Sequence, residues 1–202
     1  MAAARAVIWD IGNVIVRWNP RTLYEKSIPD AARRERFLTQ VCTPDWHLRH
    51  DFGVTFAENR APLLDQYPEF TEEILDWERR WNEMFSGAIA QSEAAIEALA
   101  AHGVPQFGLS NMSHEVWFGI TQMSPAFRHL SDTVISAETA IVKPDPRIFA
   151  QACKRFRLKP AEALFVDDSE KNIEAARALG FHTHHFTDPT ALWPALEAAG
   201  LL

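Results

Sequence analysis

The sequence predicts an α/β protein in which helices cover both faces of a parallel sheet and an all-helical segment follows the first strand. Short runs of β-branched and aromatic residues alternate with amphipathic helical patterns over residues 87–202, which is typical of a parallel sheet. Residues 19–86 show helical patterns without a convincing strand. We therefore expect an α/β core formed by residues 1–18 and 87–202, with residues 19–86 as a small helical subdomain.

The first strand is predicted over residues 6–10, where apolar residues lead into Asp10. Similar runs predict four later strands, at residues 104–111, 132–136, 163–168 and 181–186. The last run contains HTHH, which places His182 and His184 on one face of a strand. That spacing also occurs in metal sites, but no third ligand follows nearby, so we interpret the run as a strand near the sheet edge.

Capping residues and periodicity predict the helices. In the core, Ser92, Asp145 and Ser169 each precede a helical pattern, and Pro146 occupies the first position of the second helix. In the helical subdomain, four patterns predict helices at about residues 21–27, 30–41, 55–66 and 70–85. Three tryptophans of this subdomain, Trp46, Trp77 and Trp81, are interpreted as its apolar core.

The composition narrows the class of protein. The 202 residues include 20 basic and 27 acidic side chains, a net charge of −7 that argues against a nucleic-acid partner or an anionic membrane surface. The two cysteines, Cys42 and Cys153, have no metal-ligand spacing and favour a reducing compartment. The first ten residues lack the apolar core of a secretory signal, and no apolar run is long enough to cross a bilayer. We expect a soluble, cytoplasmic protein without a membrane partner.

Polar side chains stand at the ends of the predicted strands. In an open parallel sheet, ligands bind beyond the carboxyl ends of the strands. The polar residues at or just after those ends are Asp10, Ser110, Asn111, Lys143, Asp167 and Asp168. We therefore expect these six side chains to meet in one crevice.

This set of groups favours phosphate chemistry. Three carboxylates repel one another unless a cation joins them, which predicts a hard divalent ion, Mg²⁺. Lys143 supplies positive charge for a phosphate group, while Ser110 and Asn111 supply neutral donors. Asp10, presented at the tip of the first strand, is the candidate nucleophile that would form an aspartyl-phosphate.

On these residues the chain resembles the haloacid dehalogenase (HAD) superfamily of hydrolases along nearly its whole length. Asp10 corresponds to the nucleophile of the first motif, Ser110 and Lys143 to the second and third motifs, and Asp167 and Asp168 to the acids of the fourth. The segments WDIGNVIV, LSN, KPDPRIF and VDDSEKNIEAARALG further resemble the subgroup that contains bacterial α-D-glucose-1-phosphate phosphatases. The resemblance implies a Rossmann-like core and identifies residues 19–86 as a helical cap.

The resemblance also implies the roles of individual residues. Mg²⁺ would be held by Asp10, the main-chain carbonyl of Gly12, Asp168, and Asp167 directly or through water. Phosphate would be bound by Ser110, Asn111 and Lys143. Asn172, one helical turn beyond Asp168, is a candidate for orienting the acids or the lysine, although a role at the helix end is equally consistent.

Gly12 departs from a pattern found in many phosphatases of this superfamily, where the second residue after the nucleophile is an aspartate that serves as general acid. Loss of a general acid costs about 10²–10⁴-fold in rate unless the leaving group barely needs a proton. We therefore predict a small phosphorylated metabolite with a good leaving group, such as an anomeric sugar phosphate, an acyl phosphate or an aryl phosphate.

Two other functions remain open. A 2-haloacid dehalogenase would use Asp10 to attack carbon and also lacks the second aspartate, but it needs no metal. A non-catalytic HAD-like binding module would tolerate the loss of the acid. The complete set of nucleophile, lysine and metal acids favours the Mg²⁺-dependent phosphatase.

The cap is expected to determine specificity by closing over the crevice. Residues 44–53, PDWHLRHDFG, are rich in polar and aromatic groups, and the candidates there for sugar binding or proton donation are Trp46, His47, Arg49, His50 and Asp51. A solvated helix end and loop would have the same composition. Arg17 and Trp18, at the hinge into the cap, are further candidates for contact with substrate.

Overall fold

A five-stranded parallel sheet forms the centre of the protein in a computed structural model that describes residues 4–202. The strands of the chain are β1 Ala6–Trp9, β2 Val16–Trp18, β3 Phe85–Ala88, β4 Gln106–Ser110, β5 Asp132–Ile135, β6 Ala163–Asp167 and β7 His182–His185. The central sheet has the order β5-β4-β1-β6-β7 with every neighbouring pair parallel. The five strands predicted from the sequence are confirmed, and the HTHH strand lies at an edge. Residues 1–3 of the predicted core lie outside the described residues.

The central position of β1 brings the functional strand ends together. All four residues of β1 are fully buried, as expected for a strand with neighbours on both sides and helices on both faces. Trp9 is in register with Gly108 of β4 and with Val166 of β6. Because the strands are parallel and in register, Asp10, Ser110 and Asp167 lie at the same edge of the sheet.

The helices agree largely with the sequence prediction. They are α1 Arg21–Ser27, α2 Ala31–Arg36, α3 Pro44–Asp51, α4 Phe56–Gln66, α5 Thr71–Arg79, α6 Ala90–Ala101, α7 Trp117–Thr121, α8 Pro146–Phe156, α9 Glu170–Ala178 and α10 Leu192–Ala198. Asp145 caps α8 by accepting a hydrogen bond from the Arg147 N–H. The prediction that Ser92 begins a helix is wrong, because α6 begins at Ala90 and the Ser92 hydroxyl donates to the Val14 carbonyl. Within residues 4–202, no helix combines the length and hydropathy needed to cross a membrane.

The chain between β2 and β3, called here the helical segment, carries α1 to α5. The two strands form an antiparallel ribbon that the sequence did not predict, and the predicted boundary between residues 86 and 87 falls inside β3. Trp77 lies in the interior of the segment, with its ring centroid 5.8 Å from that of Tyr24 and 5.2 Å from that of Trp46. The interpretation of this segment as a cap remains a proposal.

The end of α3 is held directly against the core. Gly53 has φ +92°, and a Cβ added there would lie 2.8 Å from the carbonyl oxygen of Ala137, in the turn after β5. Beside this approach, the hydroxyl of the fully buried Ser136 donates to the main-chain oxygen of Asp51 at 2.7 Å. The main chain of α3 is thereby anchored to the loop that follows a core strand.

We expect Gly53→Ala to destabilise the fold more than Gly103→Ala. Both positions have positive φ, at +92° and +71°, but a Cβ at Gly103 meets no described atom within 4 Å. Gly103→Ala should therefore lose about 1 kcal/mol from backbone strain alone, and Gly53→Ala at least about 1 kcal/mol more from the contact with Ala137. Urea denaturation measures both, and equal losses would contradict a tight approach of α3 to the core.

Candidate active site

Asp10 follows β1 directly and is fixed by hydrogen bonds at one of its oxygens. Its Oδ1 accepts from the Ile11 N–H at 2.7 Å and lies 2.9 Å from Lys143 Nζ. The main-chain N–H of Asp10 donates to the Val166 carbonyl at 2.9 Å, which continues the pairing of β1 with β6. Since both side-chain contacts involve Oδ1, Oδ2 is the oxygen left to approach a ligand.

Lys143 is the centre of the ionic network. Its ammonium group lies 2.7 Å from Asp167 Oδ2, 2.8 Å from the Leu109 carbonyl oxygen and 2.9 Å from Asp10 Oδ1. The residue is 4% exposed. Burial alone would lower the pKa of the lysine, but Asp10 and Asp167 outweigh it and raise the pKa above its ordinary value. The ammonium therefore stays charged and joins two strand ends.

Asp167 lies beneath this network and is fully buried. Its Oδ1 accepts from the Ser169 N–H at 2.8 Å, and Asn172 Nδ2 lies 3.0 Å and 3.1 Å from its two oxygens. With Lys143 on Oδ2, both oxygens of Asp167 are occupied by donors. Asp167 thus orients the lysine, and Asn172 in turn orients Asp167.

Asn111 fixes the loop that carries Lys143. Its side-chain Nδ2 donates to the Lys143 carbonyl at 3.0 Å, while its Oδ1 accepts from the Lys143 N–H at 2.8 Å. This reciprocal pair occupies the amide on both sides. In this arrangement the Asn111 side chain positions Lys143. The predicted contact of Asn111 with phosphate would need a donor or acceptor that these two hydrogen bonds do not use.

The three predicted acids have the geometry of a cation site. One carboxylate oxygen from each of Asp10, Asp167 and Asp168 lies within 4.8 Å of the others. Burial, together with repulsion from Asp167 and Asp168, raises the pKa of Asp10 to about 7 even though Lys143 opposes it. Burial and Asp167 also raise the pKa of Asp168. Hard oxygen donors with unfavourable mutual charge fit a divalent cation such as Mg²⁺.

A cavity of about 240 Å³ opens above these groups. From the core it is lined by Asp10, Gly12, Ser110, Asn111, Lys143, Asp168 and Asn172. From β2, β3 and the helical segment it is lined by Trp18, His47, Asp51, Trp81 and Phe85. Four candidates for contact with substrate do not line it, namely Arg17, Trp46, Arg49 and His50. The Arg17 guanidinium donates to the Ala88 carbonyl at 3.0 Å, and the Trp46 indole donates to the Asn59 carbonyl at 3.0 Å.

Three aromatic rings form one wall of the cavity. The rings of Trp18, His47 and Trp81 pack in a triangle: the His47 centroid lies 5.0 Å from that of Trp18 and 5.6 Å from that of Trp81, with interplanar angles of 24° and 23°, and the two tryptophan centroids are 5.7 Å apart. Burial, with a smaller contribution from His50, lowers the pKa of His47 to about 3. His47 is therefore neutral, and the wall offers flat, uncharged surfaces to a ligand.

This wall also carries polar atoms that no described residue satisfies. They are Trp18 Nε1, His47 Nδ1, Asp51 Oδ1 and Trp81 Nε1, all of them buried. Buried polar groups in folded proteins are nearly always paired, and each unpaired group needs a reason. All four of these residues line the cavity.

Part of this wall was not predicted from the sequence. Trp81 was interpreted as core of the helical subdomain, whereas Asp51 was one of five candidates named in residues 44–53. One signal was available for Asp51: it stands in the last turn of a helix, where a negative charge is unfavourable to the helix dipole. Such a placement indicates a carboxylate kept for another purpose.

The family is established by comparison with known proteins. A model of haloacid dehalogenase-like hydrolases matches residues 4–180. The chain belongs to this family. It is 28% identical over 208 residues to acyl-CoA dehydrogenase family member 10 of Mus musculus, covering 96% of this chain and 19% of the mouse protein. It is 32% identical over 138 residues to (S)-2-haloacid dehalogenase 1 of Pseudomonas sp. strain CBS-3, covering 68% of this chain and 58% of that enzyme.

A third relative matches nearly end to end. Sesquiterpene phosphatase astK of Aspergillus oryzae is 23% identical over 196 residues, covering 93% of this chain and 92% of the fungal protein. In contrast, the chain spans about a fifth of the mouse protein and less than two thirds of the dehalogenase. The HAD-like chain is therefore similar both to phosphatases and to dehalogenases.

Solved structures confirm the HAD-like fold. The HAD family enzyme bt-2542 from Bacteroides thetaiotaomicron has a TM-score of 0.74 at 22% identity, covering 95% of this chain and 99% of that one. A complex of bt-2542 with magnesium and inorganic phosphate has a TM-score of 0.72 at 21% identity, with 94% and 99% covered. A crystal structure of a dehalogenase has a TM-score of 0.68 at 20% identity, with 96% and 97% covered.

We expect Mg²⁺ to stabilise the protein more at about pH 8 than at about pH 5.5. Folding raises the pKa of Asp10 from 3.8 to about 7. Between these values the folded chain binds more protons than the unfolded chain, so the metal-free protein loses up to about 1.4 kcal/mol per pH unit as the pH rises. Mg²⁺ competes with those protons, and its effect on Tm should be greatest where the acids are ionised.

Thermal unfolding with and without Mg²⁺ at the two pH values measures this effect. Asp168→Asn is the matched variant, because Asp168 belongs to the acid cluster, whereas the Lys143 ammonium contacts Asp10, Asp167 and the Leu109 carbonyl. The variant should lose the Mg²⁺-dependent rise in Tm. An equal rise in both proteins would place the bound metal elsewhere.

Proposed function

We propose that this HAD-like protein is a Mg²⁺-dependent phosphatase that hydrolyses a small phosphate monoester through an aspartyl-phosphate on Asp10. One observation carries the proposal: Asp10 and Asp167 share the ammonium of Lys143 while Asp168 lies beside them, at the floor of a cavity. A nucleophilic carboxylate, a fixed positive charge and a cation site are the groups that phosphoryl transfer to a carboxylate requires.

The metal would be held by Asp10, by the main-chain carbonyl of Gly12 and by Asp168, all of which line the cavity. When bound, Mg²⁺ would neutralise charge on the phosphate and align it with the nucleophile. Asp167 already accepts hydrogen bonds at both oxygens, so we assign it to the orientation of Lys143, with any contact to the metal through water.

The residues around the phosphate would then act in two steps. Asp10 attacks phosphorus, the bond from phosphorus to the leaving oxygen breaks, and the electron pair departs with that oxygen. Water next attacks phosphorus, inorganic phosphate leaves, and the Asp10 carboxylate is restored. Lys143 and the Ser110 hydroxyl, which both line the cavity, would stabilise the charge on the transferred phosphoryl group.

The cavity favours a sugar phosphate as substrate. Its volume of about 240 Å³ suits a small molecule, below the usual range for drug-sized ligands. The rings of Trp18, His47 and Trp81 would pack on the C–H face of a sugar, and their unpaired nitrogen atoms would bind its hydroxyls.

Residue 12 adds a constraint on the leaving group. A Cβ added at Gly12 would meet no described atom within 4 Å, so packing leaves room for a side chain there. The chain nevertheless offers no carboxyl group at this position. Phosphates whose leaving oxygen is stabilised without full protonation, above all those at an anomeric carbon, therefore fit the site best.

Relatives support the reaction type. A near full-length relative is a phosphatase, and a HAD enzyme of the same fold has been crystallised with magnesium and inorganic phosphate. A 2-haloacid dehalogenase is the second candidate, because a dehalogenase is also among the relatives and Gly12 is compatible with attack on carbon. The clustered acids favour the phosphatase, since attack on carbon has no use for a metal that they would bind.

We expect Asp10→Asn to abolish Mg²⁺-dependent phosphate release. An amide cannot form the aspartyl-phosphate, and the loss should be at least about a thousandfold. The assay is phosphate release from a panel of glucose 1-phosphate, acetyl phosphate, p-nitrophenyl phosphate and glycerol phosphate, with and without Mg²⁺. Activated esters should react faster than glycerol phosphate.

Asp188→Asn is the control, because Asp188 caps a short 3₁₀-helix near the C-terminal end and does not line the cavity. It should retain the full activity. If no ester released phosphate, and 2-haloacids released chloride in a reaction that requires Asp10, the protein would be a dehalogenase instead. If neither reaction occurred, a non-catalytic binding module would be the better account.

A further inference from the structure

We propose that Asp51 protonates the leaving-group oxygen, a role that rests on the proposed phosphatase function. The proton donor that residue 12 lacks would then come from the helical segment. Asp51 is the carboxylate that this segment contributes to the lining of the cavity, which Asp10 and Lys143 also line. The proposal follows from how the side chain is placed, what surrounds it and what it leaves unpaired.

The position of Asp51 is fixed by the core although the residue belongs to α3. Its main-chain oxygen accepts from the Ser136 hydroxyl at 2.7 Å, and that hydroxyl accepts in turn from the Met112 N–H at 3.1 Å. Two residues later, Gly53 allows the chain to approach Ala137 closely. A general acid must be held within hydrogen-bond reach of the leaving atom, and this double anchor provides the rigidity.

The carboxyl group of Asp51 is buried but uncommitted. The residue is 6% exposed, and its Oδ1 is buried with no hydrogen-bond partner among residues 4–202. No hydrogen bond joins it to Asp10, Asp167 or Asp168 in that part of the chain. A buried carboxyl group that serves only structure would have its oxygens satisfied by the protein. Asp51 Oδ1 therefore has a partner that arrives with the ligand.

The electrostatic surroundings agree with this geometry. Burial raises the pKa of Asp51 to about 7, with Asp10 adding to the rise and Lys143 opposing it. His47, which lines the same cavity, is neutral and adds no charge. A carboxyl group in this environment holds its proton near neutral pH, the condition for a carboxylic acid that donates during catalysis.

The histidines of the same helix are not suited to the role. Burial lowers the pKa of His47 to about 3, so its ring is neutral near pH 7 and lacks the imidazolium proton that a general acid would donate. His50 is occupied at both nitrogens: Nδ1 lies 3.1 Å from the Val54 carbonyl, and Nε2 lies 3.1 Å from Asn59 Nδ2. Of the titratable candidates in this segment, Asp51 combines an unpaired polar atom and a place in the cavity lining with a pKa near neutrality.

The proton balance of the two steps is complete with Asp51. As Asp10 attacks phosphorus, the bond to the leaving oxygen breaks and that oxygen takes the proton of Asp51, which releases the free alcohol. Asp51 is then a carboxylate. Water attacks the aspartyl-phosphate, gives its proton to Asp51 and leaves as part of inorganic phosphate, so that both carboxyl groups return to their starting state.

This role modifies the expected substrate preference. With Gly12 alone, esters with poor leaving groups would be almost inert, whereas a proton from Asp51 lets them react at a reduced rate. The preference for activated esters should therefore be moderate in the natural protein and steep once residue 51 has no proton to give.

The test compares Asp51→Asn with the natural protein on two esters in the presence of Mg²⁺. The quantity compared is kcat/KM, which reports the formation of the aspartyl-phosphate and not its hydrolysis, a step common to all esters. On p-nitrophenyl phosphate, whose leaving group needs little protonation, kcat/KM should change by less than about threefold, whereas on glycerol phosphate it should fall by about 10²–10³-fold. The ratio of the two kcat/KM values within one variant does not depend on the fraction of protein that is folded, so a partly unfolded variant still gives an answer.

Asp45→Asn is the matched control, because Asp45 is an exposed aspartate in the first turn of the same helix and does not line this cavity. It should leave the ratio unchanged. An equal fall in kcat/KM on both esters, or no change on either ester in Asp51→Asn, would overturn the proposal, the first by assigning Asp51 to substrate binding. If the natural protein released phosphate from no ester, the proposed function itself would fail.

Discussion

The buried ammonium of Lys143 is the interaction on which the rest of the site depends. It lies between Asp10, which follows β1, and Asp167, which ends the neighbouring strand β6. It also donates to the Leu109 carbonyl near the end of a third strand, β4. Removing one partner from such a buried network leaves an uncompensated charge, at a cost of about 3–5 kcal/mol. The parallel register that aligns these strand ends is therefore a requirement of the charge network as well as of the apolar core.

The two halves of the cavity have different tasks. The core side is preorganised by hydrogen bonds, with Asn111 holding the loop of Lys143 and Asn172 holding Asp167. The opposite wall, from β2 and the helical segment, is aromatic and carries unpaired polar atoms. This division suits an enzyme whose phosphate chemistry is fixed by the sheet and whose choice of leaving group is made by the segment above it.

Sequence reasoning succeeded where a local pattern determines the structure. Strands β1 and β6 were recognisable as continuous apolar runs, and the polar residues at their ends identified the crevice. The half-buried β7, HTHH, was recognisable from the flanking Phe181 and Phe186. The ribbon was missed because β2 has only three residues and β3 is partly exposed and contains Gly87. Trp18 and Trp46 could not be distinguished by sequence, since only tertiary packing places one in the cavity and the other in the interior of the helical segment.

The formation of a phosphoryl group on Asp10 is the central claim, and trapping it is the most direct measurement. A single turnover with acetyl phosphate and Mg²⁺, quenched in acid, would be followed by mass spectrometry of the peptide that contains Asp10. The account predicts a peptide heavier by one phosphoryl group, formed before phosphate is released and lost as release proceeds. Phosphate release with an unmodified Asp10 peptide throughout, or with the phosphoryl group on another residue, would contradict it.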